Sequence, residues 1–315
     1  MREVRCAAMI RWKWAVTVTI GLAAVTACSS ELHPFIESRR SPLLFAHRGG
    51  GGVAPEATLP TLLSAQDDPE AIVEFDVHRS KDGHLVVIHD DTVDRTTDGS
   101  GRVDELTLAQ LQALDAGFCT RPNVGDGTAS LNECRSAPAS DFPFRGRGYR
   151  IPTLTEVLSA LDLRTAISIE VKAPGFEADF AQMMRASGRM DGLVVGSALD
   201  DVAIRLQELL PELPHYLPEA AATCFALTSK LGLDYAACPR YDIFASPLTG
   251  AGLALDTDGI LSDAHRVGTA VVYWTINTEL DMERLFRLGA DGIFTDYPAT
   301  ARQVLERLRA GGALP

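Results

Sequence analysis

The reactive side chains of this sequence fall in short clusters, with histidine, acid and base a residue or two apart. His47-Arg48-Gly49 precedes three further glycines and then Pro55-Glu56-Ala57-Thr58. In Val73-Glu74-Phe75-Asp76-Val77, period-two alternation puts Glu74 and Asp76 on one strand face and the apolar residues on the other. Two carboxylates so placed repel each other, and need a cation, a shared proton or an arginine. Ile88-His89-Asp90 adds a second histidine, and Glu170 and Lys172 again share a strand face. A third carboxylate fits an all-oxygen site for one divalent cation, Ca2+ or Mg2+, with Lys172 beside it for an anion. Imidazole titrates near neutral pH, so His47 and His89 suit proton transfer.

Such residues act together only if strand ends bring them to one place. Apolar runs recur at Leu43–Ala46, Ile72–Val77, Leu85–Ile88, Ala166–Val171, Gly192–Val195, His215–Leu217, Ile243–Ala245, Ala270–Thr275 and Gly292–Thr295. Helix-like stretches lie between several of them, at Thr153–Leu161, Phe176–Arg185, Val202–Leu210, Leu261–Val267, Glu279–Leu288 and Ala299–Leu308. The alternation predicts a parallel α/β architecture, a closed (β/α)8 barrel or an open doubly wound sheet. The barrel is the reading taken; it holds one strand fewer than the candidates, and Ile243–Ala245 is expected to lie outside. From about residue 91 to 150 the pattern breaks, with helical spacing only at Thr107–Leu114, which predicts a small loop-rich insertion after the third strand.

Arg2, Arg5, Arg11 and Lys13 precede an apolar run from Trp14 to Val25 that is too short to span a bilayer comfortably. Residues 1–27 read as a signal peptide. Val25-Thr26-Ala27-Cys28 resembles the lipobox of bacterial lipoproteins, so Cys28 is expected to carry the lipid, with residues 28–41 as a polar tether and 42–315 as one domain. The expected location is the bacterial cell envelope, on its periplasmic or extracellular face, with the membrane engaged through the lipid. Loss of residues 1–27 removes four basic and one acidic side chain and moves the formal charge from −13 to −16. That acidity argues against a nucleic-acid partner, and no protein partner is implied. Cys119, Cys134, Cys224 and Cys238 form an even set in an exported chain, and Cys119–Cys134 with Cys224–Cys238 is the simplest of three connectivities.

The clusters occur together with Asp82-Gly83, Arg95-Thr96-Thr97, Trp274-Thr275-Ile276-Asn277 and Thr295-Asp296. In this order, from Leu44 to about Leu305, they resemble the glycerophosphodiester phosphodiesterase family. The resemblance implies metal-dependent hydrolysis of small glycerophosphodiesters to glycerol 3-phosphate and an alcohol. It implies His47 and His89 as general acid and base, and Glu74, Asp76 and Glu170 as metal ligands. Arg48 and Lys172 would hold the phosphate, Glu56 would sit beside the histidine and metal as an orienting or ligand carboxylate, and Trp274 would line the glycerol pocket. The family's Pro-Glu-Asn-Thr stands here as Pro55-Glu56-Ala57-Thr58, which predicts a change behind the reacting groups rather than loss of activity.

Two other functions are compatible with the same residues: a hydrolase of lysophospholipids or polyglycerol-phosphate polymers, and a non-catalytic binding protein on the same scaffold. The insertion's loops are expected to discriminate, an apolar groove suiting an acyl chain and a polar lid a free headgroup. His78 shares the face of Glu74 but lies ~13 Å along the strand, which predicts a rim or solvent-exposed residue. His33, His84, His215 and His265 read as surface or loop residues, and Asp296 as a helix N-cap or loop-ordering residue.

Overall fold

The computed structural model describes residues 31–314, apart from 40, 41, 125, 126, 128, 130 and 234–237. Its strands are β1 (Leu43–Ala46), β2 (Ala71–Arg79), β3 (Leu85–Val87), β4 (Ala166–Val171), β5 (Leu193–Gly196), β6 (Ile243–Ser246), β7 (Thr249–Gly250), β8 (Leu253–Ala254), β9 (Ala270–Tyr273) and β10 (Gly292–Thr295). One path of parallel pairings runs β5-β4-β2-β1-β10-β9-β6. Parallel bridges Val195↔His215 and Tyr216↔Ile243 join its two ends, so the segment at 215–216 completes an eight-stranded (β/α)8 barrel.

Ile243–Ser246 is therefore a barrel strand, contrary to expectation, with Tyr216 on one side and β9 on the other. The strand outside the barrel is β3. Nine-residue β2 outruns the barrel, and its last residues, Val77–Arg79, pair antiparallel with Leu85–Val87. The connection turns at Gly83, which takes φ 89°, and Asp82-Gly83 between two apolar runs is the local signature of such a hairpin.

Alternation along the strands sorts two apolar layers. Phe45, Ile72, Val194, Ile243 and Val272 belong to one cluster inside the barrel, while Val73, Phe75 and Val77 pack outward against helices such as Leu154–Ala160 and Glu177–Ala186. The segment expected to be only a tether contributes to this core. Its short helix Pro34–Glu37 buries Phe35 and Ile36 against the barrel interior, so the folded unit starts before residue 42. Cys28 and residues 1–27 lie outside the described residues.

The insertion has a thin apolar centre of Cys119, Ala129, Cys134 and Phe142. Cys119–Cys134 and Cys224–Cys238 are both bonded, the local pairing, and each closes a short loop. No helix among the described residues is long and apolar enough to cross a membrane.

Candidate active site

The reactive side chains stand on the central and C-terminal parts of the strands and in the turns that follow them. After β1 the backbone enters a tight turn with Arg48 at φ 52°, Gly49 at 80° and Gly50 at 98°. A left-handed Arg is strained, and such strain persists where the surroundings fix the geometry. The Arg48 amide donates to Glu74 Oε2 (2.9 Å), locking this turn to β2. Asp76 lies in register with Glu170 on β4, so Glu74, Asp76 and Glu170 line the same opening. Lys172 Nζ stands 3.2 Å from Asp76 Oδ1 and 3.0 Å from Glu170 Oε2.

Each histidine is held by a carboxylate. His47 Nδ1 donates to Asp296 Oδ1 (2.7 Å), and Asp296 Oδ2 accepts from the Asn277 amide. His89 Nδ1 donates to Asp90 Oδ1 (2.6 Å). With Nδ1 so engaged, Nε2 of both rings is left for the cavity that both residues line. Asp296 is thus not a helix cap: the helix Pro298–Ala310 has no side-chain N-cap, and Asp296 is a buried support for His47.

Behind His89 a charge chain runs inward. Arg95 Nε donates to Asp90 Oδ2 (2.7 Å), Arg95 Nη1 and Nη2 grip both oxygens of Glu56 (2.7 Å each), and Arg48 Nη1 donates to Glu56 Oε1 (3.0 Å). Burial opposes the Glu56 charge, but Arg48 and Arg95 outweigh it and hold the carboxyl well below its usual range. Glu56, expected beside the histidine and metal as an orienting or ligand carboxylate, is not among the residues that line the cavity and pairs instead with two arginines. His78, expected at the rim or in solvent, is not exposed. It is buried, with Nε2 donating to the His89 carbonyl (3.1 Å), and burial holds its pKa below the ordinary histidine value.

The carboxylates are electrostatically unresolved. Burial, then Asp76, pushes the Glu74 carboxyl well above the usual range. Burial acts the same way on Asp76, yet Lys172, His89 and Arg48 together keep it below normal. Asp76 Oδ2 is buried without a hydrogen-bond partner, 4.0 Å from an equally unpartnered Arg48 Nε. Among the described residues no three His, Cys, Asp or Glu side chains stand together closely enough to hold a metal ion as they are placed. The donor chemistry nevertheless suits one: three oxygen-donor carboxylates, one with an unused buried oxygen, on two paired strands.

His47, Arg48, Glu74, Asp76, His89, Glu170 and Lys172 open into a cavity of about 790 Å3, which Trp274 also lines at its mouth, 45% exposed and so not a core residue. The profile of the glycerophosphoryl diester phosphodiesterase family matches residues 47–300. The chain belongs to that family. It is 29% identical over 86% of its length to a glycerophosphodiester phosphodiesterase of Caldanaerobacter subterraneus, covering 99% of that relative. It is 30% identical over 81% of its length to one of Bacillus subtilis, covering 84% of it. Among solved structures, a glycerophosphoryl diester phosphodiesterase domain of Mycobacterium tuberculosis superposes with TM-score 0.69 at 21% identity, covering 84% of this chain and 99% of that domain. An Oleispira antarctica phosphodiesterase, solved with the product sn-glycerol-3-phosphate, superposes with TM-score 0.61 at 24% identity, covering 84% and 97%. This protein is accordingly an enzyme, a phosphoric diester hydrolase.

For this phosphodiesterase the structure gathers His47, Arg48, Glu74, Asp76, His89, Glu170, Lys172 and Trp274 around one cavity. Sequence reasoning quoted Arg95 only as a motif residue and missed its part in linking Asp90 to Glu56. An Arg-Thr-Thr run five residues beyond His-Asp gives no local hint of that reach. Among the described residues none from 91–150 lines this cavity, where the insertion's loops were expected to discriminate; residues 197–255 do.

Proposed function

We propose that this enzyme hydrolyses glycerophosphodiesters to glycerol 3-phosphate and an alcohol, with His47 and His89 exchanging the protons. The observation that carries the reading is the pair of carboxylate-held histidines opening, with Arg48 and Lys172, into one cavity. The family and the glycerol-3-phosphate complex of the Oleispira relative support it.

Arg48 and Lys172 would bind the phosphoryl oxygens and offset charge that grows as the nucleophile arrives. One histidine takes the proton of the attacking oxygen, and the other gives a proton to the departing alkoxide. Asp296 and Asp90 fix the ring orientations and leave Nε2 of each histidine to the cavity. Glu74, Asp76 and Glu170 would hold one divalent cation, Ca2+ or Mg2+, which when bound polarises a phosphoryl oxygen.

The proposed placement in the cell envelope rests on residues 1–28, and the two disulfides accord with an exported chain. The test is release of glycerol 3-phosphate from glycerophosphocholine and glycerophosphoethanolamine by residues 29–315, with Ca2+, Mg2+ or EDTA. Folded, metal-loaded protein that turns over no such diester would sink the reading.

A further inference from the structure

The cavity has two unlike parts. Every ionisable lining residue before position 173 belongs to the site already described, and from 197 onward the lining holds a single charged side chain, Glu219, at the start of a helix. The rest of that wall is largely apolar. The helix Glu219–Lys230 contributes Ala222 and Ala226, whose small side chains leave the space open, and Leu217, Phe244 and Leu255 line the same chamber.

Its buried hydroxyls are already used. Ser197 donates to the Val171 carbonyl, Ser246 to that of Pro247, and the Tyr216 hydroxyl is paired with Ser168. At the mouth, Leu227, Leu253 and Trp274 are 45%, 36% and 45% exposed. Single exposed apolar residues are ordinary, but three around one opening mark a surface that a ligand covers.

Resting on the diesterase reading, we propose that this chamber binds one long acyl or alkyl chain carried by the substrate, which is then a single-chain phosphodiester lipid. Continuity argues for this occupant. The chamber and the phosphate-binding pair Arg48 and Lys172 line one cavity, so a molecule with its phosphate at the cations has its apolar portion beside Leu217 and Phe244. A volume of about 790 Å3 lies within the range of a site for one small ligand, roughly 300–1,000 Å3. Cys224–Cys238 ties the helix that forms the wall to the chain beyond it. In the reaction a water oxygen forms the new P–O bond and the P–O bond to the headgroup alcohol breaks. The proton given up by water balances the one taken by the alkoxide, leaving an acylglycerol phosphate and the alcohol.

The experiment compares choline release from glycerophosphocholine and from its monobutanoyl, monohexanoyl and monooctanoyl derivatives, all below their micelle concentrations. Each methylene fully buried is worth about fourfold, so kcat/KM is expected to rise at least tenfold from the free headgroup to the octanoyl diester. Leu227→Glu and Leu253→Glu, both at exposed positions, should lower the octanoyl-to-headgroup ratio of kcat/KM at least tenfold. Turnover of all four diesters at one kcat/KM would overturn the chamber assignment and leave the diesterase reading standing. If folded protein turns over none of them, binding of dodecylphosphocholine against phosphocholine, read by tryptophan fluorescence, decides separately. Tighter binding of the dodecyl compound that Leu227→Glu weakens supports the chamber although the diesterase reading has failed; equal binding overturns it.

Discussion

The two halves of the cavity are built by opposite rules. On the side of β1, β2 and β4, nearly every functional group is held by another: His47 by Asp296, His89 by Asp90, Arg48 by Glu56, Glu170 by Lys172. On the side of residues 197–275 the buried hydroxyls already have hydrogen-bond partners and the surface offered to a ligand is mostly carbon. The contrast separates the labour of the site. Proton transfer needs atoms fixed to a fraction of an ångström, which takes networks of hydrogen bonds. Selection of an apolar group needs only area and volume, which small and aliphatic side chains provide.

The comparison breaks most sharply if the histidines are dispensable. His47→Ala and His89→Ala are each expected to lower kcat about 10²–10⁴-fold while leaving the thermal midpoint within a few degrees. Near-wild-type turnover by either variant would remove that histidine from the reaction. Chelation comes next: EDTA should abolish turnover, and Ca2+ or Mg2+ should restore it, whereas activity persisting after dialysis against EDTA would rule out the proposed role of Glu74, Asp76 and Glu170.

Arg95→Leu tests whether the network behind His89 is needed. It deprives Asp90 and the buried Glu56 of a shared cation, and is expected to cost roughly 2–3 kcal/mol of stability and to lower kcat more than it changes KM. Urea denaturation with parallel kinetics reads both, and an unchanged kcat would reduce Arg95 to a structural role.

Ala57 is a smaller lever. It takes φ 56° where the family pattern has asparagine, a conformation costing an Ala roughly 1–2 kcal/mol. Ala57→Gly should therefore raise stability by ~1 kcal/mol or less, part of the gain being offset by lost packing; a lower thermal midpoint would contradict this. The smallest effect lies far from the cavity. His265 Nε2 donates to Asp291 (2.7 Å), and that bond raises the folded-state pKa of a partly exposed ring. Its contribution is present below about pH 6.5 and is lost as pH rises through the raised value. His265→Gln should thus cost a few tenths of a kcal/mol, after solvent screening, at pH 5.5 and less at pH 8.5. Equal costs at both values would show that the ion pair contributes nothing.

Legibility followed the same division. The charged half could be read because Glu74 and Asp76 on one strand face, or His-Arg-Gly after an apolar run, are local patterns with few structural explanations. The helix Glu219–Lys230 was not anticipated. Its Ala, Thr and Ser content gives little contrast between faces, and packing against Leu217 and Phe244 is what makes it a helix with an inner side. Strand assignment failed in one place for a related reason. Leu85–Val87 and Ile243–Ser246 are both short, largely apolar runs, and only barrel closure decides that the first folds back on β2 while the second is a stave.

By itself, the sequence determined the parallel α/β class, the identity of its acids, bases and cations, and the strand faces on which they stand, since alternation and residue type are properties of neighbours in the chain. Only the tertiary structure decided that Asp296 supports His47 from 249 residues away, that Arg95 reaches Glu56, and that an apolar chamber adjoins the charged groups. Those are consequences of closure, which brings strand ends together and leaves a volume that no local pattern encodes.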